Sequence, residues 1–304
     1  MSPSAPERRL ARLEWTVVRR LDGLLQGDYR TLFRGHGLDL ADIREYTFGD
    51  DVRHIDWNVT ARLDAPYVRE FHEDREITAH FLLDLSPSVE FGTADRRKRD
   101  LLMDFTGVLA RLLTRHGNRV AATMYGARVE RAIPPRGGRV QVLRLLSELE
   151  RRPHLERAPL TSLGDLIDAG LRALKRRSLV FVISDFFSVA GWEDHLAMLS
   201  RRHETLAVRL VDPRENELPD VGPLILTDSE TGEQLWVNTH DGGFRNRLSE
   251  AARRREERLT AAFARASVDV LTLRTDEDLV RSVVRFAYAR KQRARRSVAA
   301  RASA

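Results

Sequence analysis

The 304-residue chain has no cysteine. That one absence excludes disulfide scaffolds, thiolate zinc sites, thiol nucleophiles and cysteine-ligated haem or iron–sulfur centres. Any metal must be held by oxygen or imidazole. Lysine is nearly absent too: Lys98, Lys175 and Lys291 are the whole supply, so 48 of the 51 basic residues are arginine. No apolar run approaches the roughly 18 residues of a spanning helix. The opening MSPSAPERRLARLEW carries charge where a secretory leader needs its apolar stretch, and the expected location is the cytoplasm. Several catalytic signatures are also missing. There is no G-x-x-x-x-G-K-S/T phosphate loop, no G-x-S-x-G nucleophile elbow and no H-E-x-x-H zinc motif among the nine histidines.

What is present describes a globular protein, with 42% hydrophobic and 32% charged residues. The net charge of +6 is unevenly placed. Residues 281–304 hold seven arginines, one lysine and no acid, which leaves the other 280 residues at −2. A basic tail on a near-neutral body, with no reader motif, disfavours nucleic acid as a partner; the tail reads as a solvated terminus.

Hydrophobic periodicity organises the chain. An amphipathic helix is expected over 10–25, a polar, loop-rich segment over 26–75 with a strand at 67–71, and then alternating strands and helices. Strands are expected at 77–85, 119–125, 129–133, 179–183, 205–211 and 268–273, and helices at 96–115, 140–150, 163–175, 192–201, 244–264 and up to 289. Residues 119–125 and 129–133 read as a hairpin, so one of them should lie antiparallel at an edge. A further hairpin spans 224–237. The fold class is therefore α/β: a doubly wound, mostly parallel sheet flanked by helices, in a domain over 76–289. An extension over 1–75 precedes it and a basic tail over 290–304 follows. Ligands of such sheets sit outside the carboxyl ends of the strands.

Two strands end there in oxygen. The first runs into Asp84-Leu85-Ser86-Pro87-Ser88, whose alternate residues share one side. Strand 179–183 ends in Ser184-Asp185, and Thr161 opens the helix before it. Asp84, Ser86, Ser88, Thr161 and Asp185 together suit a hard cation such as Mg²⁺ or Mn²⁺, held by one or two carboxylates with hydroxyls and water. Each has a plainer reading as a turn or cap residue, including Ser162 with Asp165 as a capping box. The set resembles the metal-ion-dependent adhesion site of von Willebrand factor A domains. That resemblance implies that Ser86, Ser88 and Thr161 ligate the ion directly, that Asp84 and Asp185 act mostly through water, and that a partner's acidic residue fills an open position. Pro87 and Phe186 stand where that family often has glycine, and Ala158-Pro159-Leu160 where glycines precede the threonine.

Upstream, residues 44–62 read REYTFGDDVRHIDWNVTAR. Asp50, Asp51 and Asp56 can pair with Arg44, Arg53 and Arg62 around Tyr46 and Trp57 as apolar anchors. This stretch is similar to the signature of the bacterial proteins grouped as domain of unknown function family 58, in which a von Willebrand A-like domain follows. The resemblance covers about residues 35–185. It implies a non-enzymatic, metal-dependent protein-binding module, chaperone-like or adaptor-like, that works with a MoxR-type AAA+ ATPase or a client protein supplying an Asp or Glu. Two other readings compete: a metal-dependent hydrolase using the same oxygens, which lacks a general base, and nucleic-acid binding through the basic tail. Aspartyl-phosphate chemistry at Asp84 would need a second aspartate where Ser86 stands.

Overall fold

The computed structural model describes residues 3–21, 43–47, 50, 52, 55–63, 65–69, 77–93, 96–155 and 157–302. The chain divides into two units, residues 1–33 with 77–304, and residues 34–76.

The larger unit opens with α1 (Ala5–Leu13), whose start is fixed by a Ser4–Glu7 capping box and a proline in the first turn. A π-helical turn over Glu14–Val18 continues it. Leu10, Leu13, Val17 and Leu21 are buried in the core, as the amphipathic pattern predicts, and so is Val18 beside them. Leu24 and Leu25, the last apolar positions of that pattern, lie outside the described residues.

The smaller unit contains β1 (Ile43–Glu45), α2 (Trp57–Leu63) and β2 (Tyr67–Arg69), with β1 and β2 antiparallel. Asp56 is buried and accepts the Val59 N–H at 3.3 Å, capping α2, while its own N–H donates to the Tyr67 carbonyl. Asp50 accepts both the N–H and the hydroxyl of Thr47. Asp51 and Arg53, and the side chain of Arg44, lie outside the described residues. Trp57 is 70% exposed, so it is not the anchor its sequence context predicts. The buried group at this corner is the neighbouring carboxylate, which the helix start needs more than it needs the ring.

The larger unit then runs β3 (Thr78–Asp84), α3 (Lys98–Arg115), β4 (Arg119–Tyr125), β5 (Val129–Arg136), α4 (Gly138–Glu150), α5 (Leu163–Ala173), β6 (Leu179–Ser184), α6 (Trp192–Arg202) and β7 (Glu204–Val211). It finishes with β8 (Pro223–Thr227), β9 (Gln234–Asn238), α7 (Gly242–Arg265), β10 (Asp269–Arg274) and α8 (Leu279–Ala302). Six strands form one sheet in the order β10-β7-β6-β3-β4-β5, parallel except for the antiparallel edge strand β5. Among the described residues β8 and β9 pair only with each other. One face of the sheet packs residues of α1, α3, α4 and α8, and the other packs residues of α5, α6 and α7. This is the doubly wound arrangement.

Connection direction reverses at β3: the chain moves outward to β4 and β5, then returns to place β6 on the other side of β3. The crevice of such a sheet opens at that switch point, beyond the ends of β3 and β6. α5 lies tight over β3 because Gly170 leaves room; a Cβ there would stand 2.8 Å from the Leu82 methyls. The basic tail is helical through Ala302. Part of its charge is used internally: Arg290 pairs with Asp269 at 2.9 Å and Arg293 with the same carboxylate at 3.2 Å.

Candidate functional site

β3 and β6 run in parallel register with Leu83 beside Ile183, so their last residues emerge together. Ser184 donates its hydroxyl to Asp84 Oδ2 at 2.6 Å, and the Ser86 N–H donates to Asp84 Oδ1 at 3.0 Å. The second bond bends the chain into a short 3₁₀ turn over Pro87–Glu90. Pro87 suits the first position of that turn, where φ is restricted and no N–H is needed. The turn brings Ser86 Oγ and Ser88 Oγ to 3.1 Å.

Thr161 is held from the other side of the crevice. Its carbonyl accepts the Val189 N–H and the Ser188 hydroxyl, both at 2.9 Å, which ties its loop to the loop after β6. Ser162 caps α5 through the Asp165 N–H, and its own N–H donates to the Tyr125 hydroxyl at the end of β4. Ser162 therefore caps the helix as expected, but not as a full capping box, since its N–H goes to Tyr125 rather than to Asp165; these bonds fix Thr161 one residue upstream. The Thr161 hydroxyl donates to Glu230 Oε1 at 2.8 Å.

Asp185 accepts the Phe187 N–H at 3.0 Å on Oδ1 and the Lys98 ammonium at 2.6 Å on Oδ2. Lys98 also reaches Glu215 at 2.5 Å and is fully buried. Burial disfavours its charge, but Asp185 and Glu215 outweigh that and hold its pKa above the ordinary lysine value. Asp84 is pushed up to about 7, first by burial and then by the negative charge of Asp185, against the hydrogen bonds from Ser184 and Ser86. Burial, with Asp185 nearby, likewise raises Glu230.

Hydrogen bonds join Asp84, Ser86 and Ser88, Asp185 lies near enough to raise Asp84, and Thr161 meets this group through Glu230, which also faces Ser88; the five do not form an open cup. None is more than 8% exposed. The Thr161 hydroxyl and one Asp185 oxygen are already engaged within the chain, by Glu230 and Lys98. Phe186, where glycine is frequent in the similar motif, adopts φ +60°. The left-handed backbone is what that position requires, and here a bulky residue supplies it. Its ring is anchored against Phe263 and Trp192 at 5.0 and 5.3 Å.

Three functional candidates escaped sequence reasoning. Lys98 carried a faint signal, being one of three lysines in a chain that otherwise uses arginine; a compact ammonium with three rotatable donors suits a position between two carboxylates. Glu230 and Asp212 carried none. Asp212 is fully buried and accepts the Thr93 N–H and hydroxyl, the Arg214 N–H and the Thr275 hydroxyl. Burial works to raise its pKa, and those donors more than reverse the effect.

Among the described residues no three His, Asp or Glu side chains are grouped so as to hold a metal ion by themselves. A cation here would rely on the hydroxyls. The donor set fits a hard cation: three hydroxyl oxygens, two buried carboxylates, and at Glu230 Oε2 a buried carboxylate oxygen with no hydrogen bond of normal geometry. Among the described residues no helix is long and apolar enough to cross a membrane.

Uncharacterized proteins of Mycobacterium bovis and Mycobacterium tuberculosis are each 36% identical over 286 residues, covering 93% of this chain and 89% of theirs. Among solved structures, the conserved hypothetical protein BatB from Bacteroides thetaiotaomicron is similar over 71% of this chain and 99% of its own, at 9% identity and a TM-score of 0.45. The SpRpn10 VWA domain is similar over 69% of this chain and 94% of its own, at 12% identity and a TM-score of 0.39. Residues 42–258 match the family described as "Protein of unknown function DUF58", and the chain belongs to that family.

Proposed function

We propose that this protein is a non-enzymatic, cytoplasmic protein-binding module whose contact with its partner depends on Mg²⁺ or Mn²⁺. Ser86, Ser88 and Thr161 would hold the ion through their hydroxyl oxygens, with Asp84 and Asp185 beside them. The ion would supply a positive charge that accepts a carboxylate. The partner is a MoxR-type AAA+ ATPase, a client protein offering an Asp or Glu, or both, as the family resemblance implies.

One observation carries the reading. Two hydroxyls 3.1 Å apart stand beside two fully buried carboxylates at the switch point of the sheet. Two carboxylates buried so close together need compensating charge. Lys98 bonds Asp185, while Asp84 is held by neutral donors alone. The chain's own groups do the positioning. Ser184 and the Ser86 N–H orient Asp84, the 3₁₀ turn aligns the two serines, and the Ser188 hydroxyl and Val189 N–H hold the Thr161 backbone.

The test is co-purification with the full chain in Mg²⁺. The expected result is recovery of an AAA+ ATPase or a client, release by EDTA, and loss in Asp84→Ala. Equal recovery with chelator and in the variant would overturn the proposal.

A further inference from the structure

Among the described residues the β8–β9 hairpin pairs with no other strand, yet its tip reaches the crevice. The turn is built to deliver one residue. Asp228 Oδ1 accepts the N–H groups of Glu230 and Thr231 and the Thr231 hydroxyl, at 3.0, 2.7 and 3.0 Å. Its carbonyl accepts the Gly232 N–H, with Gly232 at φ +73°, a conformation glycine adopts without penalty. The Glu230 carbonyl in turn accepts the Ala158 N–H at 3.2 Å, so the turn is fastened by backbone to the loop that holds Thr161.

Glu230 itself is 7% exposed. Oε1 takes the Thr161 hydroxyl, whereas Oε2 is buried and makes no hydrogen bond of normal geometry, although the Ser88 N–H and hydroxyl stand near enough to favour the carboxylate's charge. A buried carboxylate oxygen without a well-formed hydrogen bond is costly. Nothing in the hairpin explains it, since the turn is already satisfied by Asp228. It is explained if the second oxygen is meant for a cation.

We propose that Glu230 is a built-in carboxylate ligand, filling from within the chain the position that a partner's acidic residue would occupy. The proposal rests on the reading that Ser86, Ser88 and Thr161 hold a divalent cation. It accounts for the closure of the site. An incoming Asp or Glu must displace the 228–233 turn before it meets the hydroxyls. A two-stranded hairpin is marginal by itself, and this one exposes Ile225, Leu235 and Trp236 to solvent. The Glu230 side chain and one backbone bond tie it to the crevice.

The experiment is Mn²⁺ titration of the full chain, followed by electron paramagnetic resonance, with hydrogen exchange of residues 228–233 read in parallel. Glu230→Gln keeps an oxygen for Thr161 and removes the charge. Its Mn²⁺ affinity should fall at least about tenfold, and Mn²⁺ should slow exchange of the turn in the natural protein but not in this variant. In Glu230→Ala, millimolar acetate should restore much of the lost affinity, while leaving the natural protein unchanged because its position is filled. If Glu230→Ala does not fold, Glu230→Gln decides alone. Equal Mn²⁺ affinity and equal exchange in the natural protein and Glu230→Gln would overturn this inference and leave the metal reading standing. Failure of the natural protein to bind Mn²⁺ would overturn both.

Discussion

Phe186 offers a test of the site's geometry that turns on a sign. Its φ of +60° costs an L-residue with a Cβ about 1–2 kcal/mol. Its ring is buried against Phe263, edge-on with an interplanar angle of 90°, and against Trp192. Phe186→Ala removes the ring but keeps the Cβ, so it loses about 3–5 kcal/mol of packing while the backbone strain remains. Phe186→Gly loses the same packing and sheds the strain. At an ordinary φ, alanine is more stable than glycine by about 0.4–1 kcal/mol through the unfolded chain. At Phe186 the order should invert, with Phe186→Gly more stable than Phe186→Ala by about 1 kcal/mol, and both below the natural protein. Urea unfolding reads this directly, and Trp192 lies close enough to report it by fluorescence. If Phe186→Ala proved as stable as Phe186→Gly, the left-handed turn after Asp185 would not be imposed by the fold.

Lys98→Met should cost about 3–5 kcal/mol in urea unfolding, because it strands two carboxylates that one buried ammonium had compensated; a loss below about 1 kcal/mol would show that water already reaches the pair. His80 has its pKa lowered to about 4 by burial, reinforced by His203, so unfolding takes up a proton at acid pH. The His80 contribution to stability should therefore be level above about pH 6.5 and fall by up to about 3 kcal/mol as pH drops toward 4, opposed over that range by Asp84, whose raised pKa favours the folded state as pH falls. His80→Asn should abolish that part of the slope in pH-dependent urea titrations, and an unchanged slope would assign it elsewhere. Asp212→Asn replaces an acceptor of four donors with a half-donor and should cost about 2–3 kcal/mol. Faster hydrogen exchange at the Thr93 and Arg214 amides would localise the loss, whereas no change there would refute the assignment.

The parallel core was legible because β6 is a continuous apolar run buried along its whole length, and the antiparallel edge was legible because only three residues, Gly126, Ala127 and Arg128, separate the two runs. The gathering of Asp84, Ser86, Ser88, Thr161 and Asp185 followed from strand alternation and from the rule that ligands sit at strand carboxyl ends. What fills the space between them did not follow. Lys98 lies 87 residues from Asp185 and Glu230 lies 69 from Thr161. Neither pairing has a local pattern, since each depends on where an entire helix or hairpin packs. Trp57 misled for the reverse reason: an aromatic amid charges reads as an anchor, but the fold buried the adjacent Asp56 instead.

Asp212 joins the segment after β3 at Thr93, the segment after β7 at Arg214 and the segment after β10 at Thr275, with a single carboxylate. Such a keystone removes independence from the pieces it clamps. A mutation that lengthens any one of these three loops, or a partner that pulls on one, strains the other two at once. Adaptation of this surface to a new partner is therefore easier through the hairpin that stands apart from the clamp than through the loops locked inside it.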